Sequence, residues 1–260
     1  MNCISWNCQG LGRSLTVQTL REIIRSHDNN FIFLSETHKS DYYVDRVRRQ
    51  LGYSKGYNVA PVNTAGGLSL WWRPGFLVEV TDFSKYFIDT RIRAQGSNEV
   101  IRVTWMYGPP YGDEKAAFWD YWSNLQIINA IPWLVIGDLN ELVEQYEREG
   151  GSHWNSSRRS YLRTFISSHS LLDPGFKGQR FTWARVEDGV TRLQERLDRS
   201  LVSESWLLKW PNSCLTHLAR VGFDHNPLFF SSDPLVTKRK SSFKFEAYWA
   251  EESESFQIVK

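Results

Sequence analysis

Apolar and polar positions follow two rhythms along the chain, and the switch between them predicts its elements. Asn2 to Asn7 reads as a strand, and from Leu15 to His27 the residues Val17, Leu20, Ile23 and Ile24 fall on one helical face behind Ser14 as N-cap. A short apolar run, Phe31 to Leu34, ends in Ser35 and Glu36, and Ser40 opens a second helix that Gly52 stops after Leu51. Between Tyr57 and Tyr107 the period drops toward two: Leu68 to Trp72, the turn Arg73-Pro74-Gly75 and Val100 to Tyr107 predict antiparallel hairpins. Spacings of three and four among Phe118, Tyr121, Trp122 and Leu125 predict a helix over Asp113 to Ala130, before a buried strand at Trp133 to Ile136. Then come a helix at Ser157 to Ser168, β segments around Arg180 to Ala184 and Leu193 to Ser200, a brief helix at Glu204 to Trp210, and strands at Ser213 to Arg220 and Leu228 to Phe230. Two β-rich halves, each with helices, predict two packed sheets with helices outside rather than one parallel sheet. From Asp233 the basic, serine-containing stretch Lys238 to Ser242 predicts a linker into a helical or disordered tail.

Composition narrows the class. A chain of 260 residues fits one β-rich domain plus a tail. It is 41% hydrophobic and 23% charged, and no window holds the roughly 20 consecutive apolar residues that a membrane-spanning helix needs. The amino terminus enters a strand at once, without a basic stretch followed by an apolar one, so no secretory or transit signal is visible and an intracellular protein is expected. Cys3, Cys8 and Cys214 lack Cys-x-x-Cys spacing, which argues against structural zinc and for small core residues in a reducing compartment. A net charge of +2, from 31 basic and 29 acidic residues, is too small to mark a nucleic-acid binder in bulk. The twelve tryptophans offer base-stacking surfaces, yet Trp71, Trp72 and Trp133 sit in strand-like runs and are expected in the core.

Candidate chemistry lies where apolar runs end in polar residues: Asn7, Glu36, Tyr107, and Asp138 with Asn140. Each alone reads as a turn, because Asp, Asn and Gly satisfy a turning backbone. Together they suggest a site. Asp138 and Asn140, two apart on an extended segment, face the same side, where a carboxylate can take a proton from water while an amide fixes its direction. Glu36 offers a hard oxygen that favours Mg²⁺ over zinc. His225, beside Asp224, reads as a hydrogen-bonded surface residue or, with Asp198 as partner, as an oriented imidazole able to contact a phosphoryl oxygen.

These residues lie in ordered blocks: Met1 to Gly12, Leu34-Ser35-Glu36-Thr37, Tyr107-Gly108-Pro109-Pro110, Gly137-Asp138-Leu139-Asn140-Glu141, Arg180-Phe181-Thr182-Trp183, Glu195-Arg196-Leu197-Asp198-Arg199 and Asp224-His225-Asn226-Pro227-Leu228. In this order they resemble the signature blocks of the endonuclease/exonuclease/phosphatase superfamily over residues 1–232. The blocks Glu147 to Gly151 and Leu172 to Gly178 resemble the endonuclease of plant LINE-type non-LTR retrotransposons, and the tail, 233–260, is similar to the segment leading toward a reverse transcriptase. The resemblance implies a four-layer α/β sandwich of two mainly antiparallel β-sheets flanked by helices. It implies a DNA nickase that leaves a 3′ hydroxyl, uses Mg²⁺ or Mn²⁺, needs no small-molecule cofactor or membrane, and is nuclear when it acts. By the same resemblance Glu36, Asn7 and Asp224 serve the metal, Asp138 activates water, and Asn140 orients it. Tyr107 and His225 contact the phosphate, Asp198 positions His225, and Thr182 lies near the DNA.

One position departs from the pattern. The family places serine before the Asp-His pair, where this chain has Phe223, also counted among the substrate-side residues. A bulky ring there is expected to crowd Asp224 and His225 and to lower turnover. That departure keeps open a catalytically weak, nucleic-acid-binding remnant, with a phosphatase of the same superfamily as a third reading. Arg91, Arg93, Arg158, Arg159 and Arg185 are candidate contacts to a DNA backbone, or simply solvated surface.

Overall fold

A computed structural model describes residues 1–62, 66–125, 131–151, 160–220 and 222–234. The expected tail beyond 234, Arg158 and Arg159, and the outer ends of two expected helices, 126–130 and 157–159, lie outside the described residues. One sheet has seven strands in the order β10 (Phe176–Gly178), β14 (Cys214–His217), β15 (Leu228–Ser231), β1 (Asn2–Asn7), β2 (Phe31–Ser35), β4 (Leu68–Trp72) and β3 (Lys55–Val59). A second has five: β13 (Asp198–Val202), β8 (Trp133–Asp138), β7 (Ile101–Tyr107), β6 (Phe87–Ala94) and β5 (Phe76–Ser84). Neighbours are antiparallel except β1 with β2, β7 with β8, and β10 with β14. This is the expected sandwich, with one addition: β11 (Trp183–Glu187), β12 (Val190–Glu195) and β9 (Arg148–Gly150) form a separate small sheet.

Strand alternation sends each sheet's residues to two layers. In the seven-stranded sheet Phe31 and Phe33 face the other sheet and meet Trp105, with ring centroids 5.9 Å apart in both pairs. The alternate residues Ile4, Trp6, Ile32 and Leu34 form a second core under α1 (Ser14–Ser26) and α2 (Asp41–Gln50), which present Leu20, Ile23, Val44 and Val47. On the far side of the five-stranded sheet, Trp122 of α3 (Gly112–Asn124) and Phe165 of α4 (Tyr161–Ser168) pack on Trp133. A short helix, α5 (Glu204–Lys209), follows β13. Trp71, Trp72 and Trp133 are in the core as expected, and Cys3 and Cys8 are buried small residues whose thiols burial pushes up to about 12.

Helix starts differ from the sequence reading in detail. Ser14 is the first helical residue, Arg13 occupies the N-cap position, and Ser40 makes no side-chain cap bond. Ser160 and Ser203 do cap, accepting from the backbone N–H of Arg163 and Trp206. Parallel pairing of β1 with β2 and of β7 with β8 brings Asn7, Ser35, Tyr107 and Asp138 to strand ends, Asn7 level with Ser35 and Tyr107 level with Asp138.

Candidate active site

Asn7 joins the two sheets at their carboxyl edge. Its Nδ2 donates to Glu36 Oε1 and to Asp138 Oδ2, both at 3.0 Å, and lies 3.4 Å from His225 Nε2. Tyr107 donates its hydroxyl to the same Glu36 oxygen at 2.7 Å. The backbone N–H of Asn140 donates to Asp138 Oδ1 at 3.0 Å, while its Nδ2 reaches the Gly108 carbonyl at 2.8 Å and Asp138 Oδ2 at 3.3 Å. His225 Nδ1 lies 2.9 Å from Asp198 Oδ2, and its Nε2 faces Asp138 Oδ2 at 3.7 Å. Asn7, Glu36, Tyr107, Asp138, Asn140, Asp198 and His225, drawn from across the whole sequence, thus form one hydrogen-bonded group.

Backbone geometry holds this group in place. Glu36 and Asn140 have φ of 53° and 49°, a left-handed conformation that costs a non-glycine residue roughly 1 to 3 kcal/mol and concentrates at functional sites. Gly137 is required before Asp138, because a Cβ there would come within 1.8 Å of the Met106 carbonyl oxygen.

Asp224 stands at the edge of the group. One of its oxygens accepts from Gln9 Nε2 and Trp183 Nε1, and the other is buried with no hydrogen-bond partner among the described residues. Thr182 is not brought to the surface: it is fully buried, and its hydroxyl oxygen accepts the N–H groups of Leu197 and Asp198 at 3.1 and 2.9 Å. Its carbonyl accepts from Asn226 at 2.7 Å, so Thr182 ties the Asp198 strand to the His225 loop. The expected DNA contact gives way to a positioning role. Phe223 also differs from expectation. Its ring packs edge-on against Trp6, centroids 4.8 Å apart, in the core under α1 and α2, and the His225 to Asp198 hydrogen bond is kept.

Burial drives the electrostatics. It pushes the Asp138 carboxyl well above the usual carboxylate range, and neighbouring His225 only partly offsets it. Burial alone would lower His225, but Asp198 and Asp138 outweigh it and hold the imidazole up at about 10, so it stays protonated near neutrality. Burial, then Glu36 and Asp138, raise Tyr107 far enough that it remains a phenol and a donor. No lysine or arginine among the described residues pairs with Glu36, Asp138, Asp198 or Asp224; the imidazole of His225 faces Asp138 and Asp198, and that of the half-exposed His38 lies 3.6 Å from Glu36, so carboxylates outnumber the imidazoles beside them. Ligand atoms of Asp138, Asp198 and His225 lie within 4.8 Å of one another, but the His225 to Asp198 bond already occupies two of them. The excess of hard oxygen, with an orphaned Asp224 oxygen beside it, fits a divalent cation.

The two sheets thus bring carboxylates, an amide and an oriented imidazole together at one edge. The chain belongs to the Endonuclease/Exonuclease/phosphatase family, which it matches over residues 4–233 and whose members are metal-dependent hydrolases. No curated protein matches its sequence. A 3′ phosphatase from Neisseria, solved with a product DNA hairpin, has a TM-score of 0.66 at 14% identity, covering 89% of this chain and 98% of that one. The AP endonuclease LMAP from Leishmania major gives 0.65 at 14% identity, covering 88% of this chain and 86% of that one. The endonuclease domain of TRAS1, a telomere-specific non-LTR retrotransposon, gives 0.62 at 12% identity, covering 88% of this chain and 97% of that one. At such identities the likeness is one of fold. No described helix is long and apolar enough to cross a membrane.

The sequence did not single out Gln9 as a partner of Asp224, or the buried cluster around Glu147. Glu147 receives Arg199 at 2.9 and 2.8 Å and Arg196 at 3.4 Å, and Arg196 also holds Asp173 at 2.7 Å. The alternation of Asp198 and Arg199 on one strand was the available signal.

Proposed function

We propose that the chain is a divalent-metal-dependent DNA endonuclease of retrotransposon origin that nicks one strand and leaves a 3′ hydroxyl. The observation that carries this reading is the excess of carboxylate around Asn7, with Asp138 and Asp198 buried and Glu36 partly exposed, which calls for a cation and suits an anionic phosphodiester once the cation is there. Glu36 and Asn7, with Asp224 at the edge, would hold Mg²⁺, and Mn²⁺ on the same oxygens. When bound, the ion neutralises phosphate charge and polarises the phosphoryl group.

The protein's own groups supply the rest. Asp138 accepts the proton of the attacking water, its raised proton affinity suiting a general base, and Asn140 directs that water through its carboxamide. His225, held protonated and oriented by Asp198, and Tyr107, held as a phenol, donate to the phosphate oxygens as charge builds on them. Water displaces the 3′ oxygen, and a free 3′ hydroxyl results. Ordered sequence blocks and a fold shared with a retrotransposon endonuclease domain support the origin. Action on chromosomal DNA in the nucleus follows from that origin.

Supercoiled plasmid with Mg²⁺ tests the reading. Relaxation to nicked circles, abolished by chelation and by Asp138→Ala and His225→Ala, with ends that a DNA polymerase extends directly, is the expected result. Salt-dependent DNA binding without nicking would identify a binding remnant instead, and release of phosphate from a phosphomonoester alone would identify a phosphatase.

A further inference from the structure

We infer that Lys115 is a positioning residue for Asn140, acting through the backbone rather than on substrate; the inference rests on the nuclease reading only where it concerns turnover. Lys115 lies in the first turns of α3, is 8% exposed, and sends its ammonium under the β8 loop. There Nζ donates to the Asn140 carbonyl at 2.5 Å and sits 3.1 Å from Glu141 Oε2. A partly buried carbonyl needs one donor, and any neutral group would serve. A cation gives a stronger bond, and Glu141, 5% exposed, supplies the charge that keeps the ammonium from being buried alone.

The position of this bond gives it a functional consequence. Asn140 holds a left-handed φ of 49°, and its N–H is already fixed by Asp138. Lys115 fixes the carbonyl on the other side of the same residue, so the peptide groups flanking the carboxamide are both anchored. The carboxamide itself bonds Gly108, the residue that leads from β7 toward α3. Lys115, Asn140 and Gly108 therefore close a loop that links the strand end carrying Tyr107 to the one carrying Asp138. Without the ammonium, Asn140 is free to relax toward ordinary backbone angles and to turn its amide away from Asp138.

Lys115→Met keeps the stem and removes the charge, and Glu141→Gln keeps the carbonyl contact while removing only the ion pair. The geometry predicts that Lys115→Met lowers kcat about 10- to 100-fold with KM nearly unchanged, on the scale of a misplaced catalytic group. Glu141→Gln is expected to stay within about threefold of the parent, as suits a group outside the reacting atoms. Equal losses in both variants would overturn the inference and leave an ordinary buried ion pair. An NMR reading separates this from failure of the nuclease reading. The side-chain amide of Asn140 should give ordered, slowly exchanging signals in the parent and averaged ones in folded Lys115→Met, whether or not either chain cuts DNA. Unchanged Asn140 signals in that variant would sink the positioning role.

Discussion

Adjacent residues of β13 deliver opposite charges to two buried clusters of opposite design. Asp198 reaches His225 in the candidate site, and Arg199 reaches Glu147. Around Glu147 two arginines face two carboxylates, Glu147 and Asp173, with bonds of 2.7 to 2.9 Å among them. Around Asn7 the carboxylates of Glu36, Asp138 and Asp198, with Asp224 at the edge, face only the imidazoles of His225 and the half-exposed His38. Both sites bear the desolvation cost of buried charge, and only one offsets it from within. A fold keeps an uncompensated cluster where something from outside completes it, so charge balance separates the supporting cluster from the reacting one.

The largest test of that contrast is Glu147→Ala, which strands the buried Arg199 and leaves Arg196 to Asp173 alone. A loss of about 3 to 5 kcal/mol in urea unfolding is expected, with nicking by the folded fraction within a few-fold of the parent. Asp138→Ala should do the reverse, costing about a hundredfold or more in nicking, roughly 2.7 kcal/mol, while thermal unfolding stays level or moves up as a surplus charge leaves. A collapse in stability there would dissolve the distinction. Mg²⁺ at a hundred times its Kd should stabilise the parent by about 2.7 kcal/mol and do much less for Glu36→Gln, read as a shift in melting temperature.

Acid should act on the balanced cluster. Burial alone would raise Glu147, but Arg199 and then Arg196 outweigh it and hold the carboxyl below the ordinary range. A depressed folded pKa contributes stability above the unfolded value that is lost as pH falls through the folded one. The parent should therefore weaken steeply below about pH 4, and Glu147→Gln, less stable at neutrality, should show a flatter acid limb. Phe223→Ser should have the smallest effect. It loses an edge contact with Trp6 worth about 1 kcal/mol beyond the apolar area the ring covers, and turnover should stay within about twofold, since the ring packs, partly buried, against the helix-side core.

Much of the fold was legible because period reports burial. Phe31 to Leu34 and Val100 to Tyr107 were strands in sequence and are strands in space, with ends shifted by a residue. Ser14 misled, since a serine before an apolar face suits either the cap or the first turn, and only the path of the preceding loop decides. Asn7, Glu36 and Asp138 were read as polar endings to apolar runs and His225 from its acidic neighbour Asp224, and the fold brings the four together. Thr182 and Phe223 were not placed by the same logic, because a residue's neighbours in sequence do not tell which side of a loop its side chain takes. Lys115 carries no local signal: its partners are 25 and 26 residues away, on another element.

The alternation along β13 also bears on how the chain finds its register. Asp198 pairs with Asp138 across an antiparallel ladder that runs without a bulge to Val202 opposite Leu134. A slip by one residue would turn every side chain of the strand to the opposite face. A slip one way would set Arg199 against His225 and Ser200 against Glu147, and a slip the other way would set Leu197 against His225 and Asp198 against Glu147, so either slip breaks both clusters. The charge pair at the start of β13, ahead of Ser200, Leu201 and Val202, therefore adds an electrostatic cost to misalignment of the sheet.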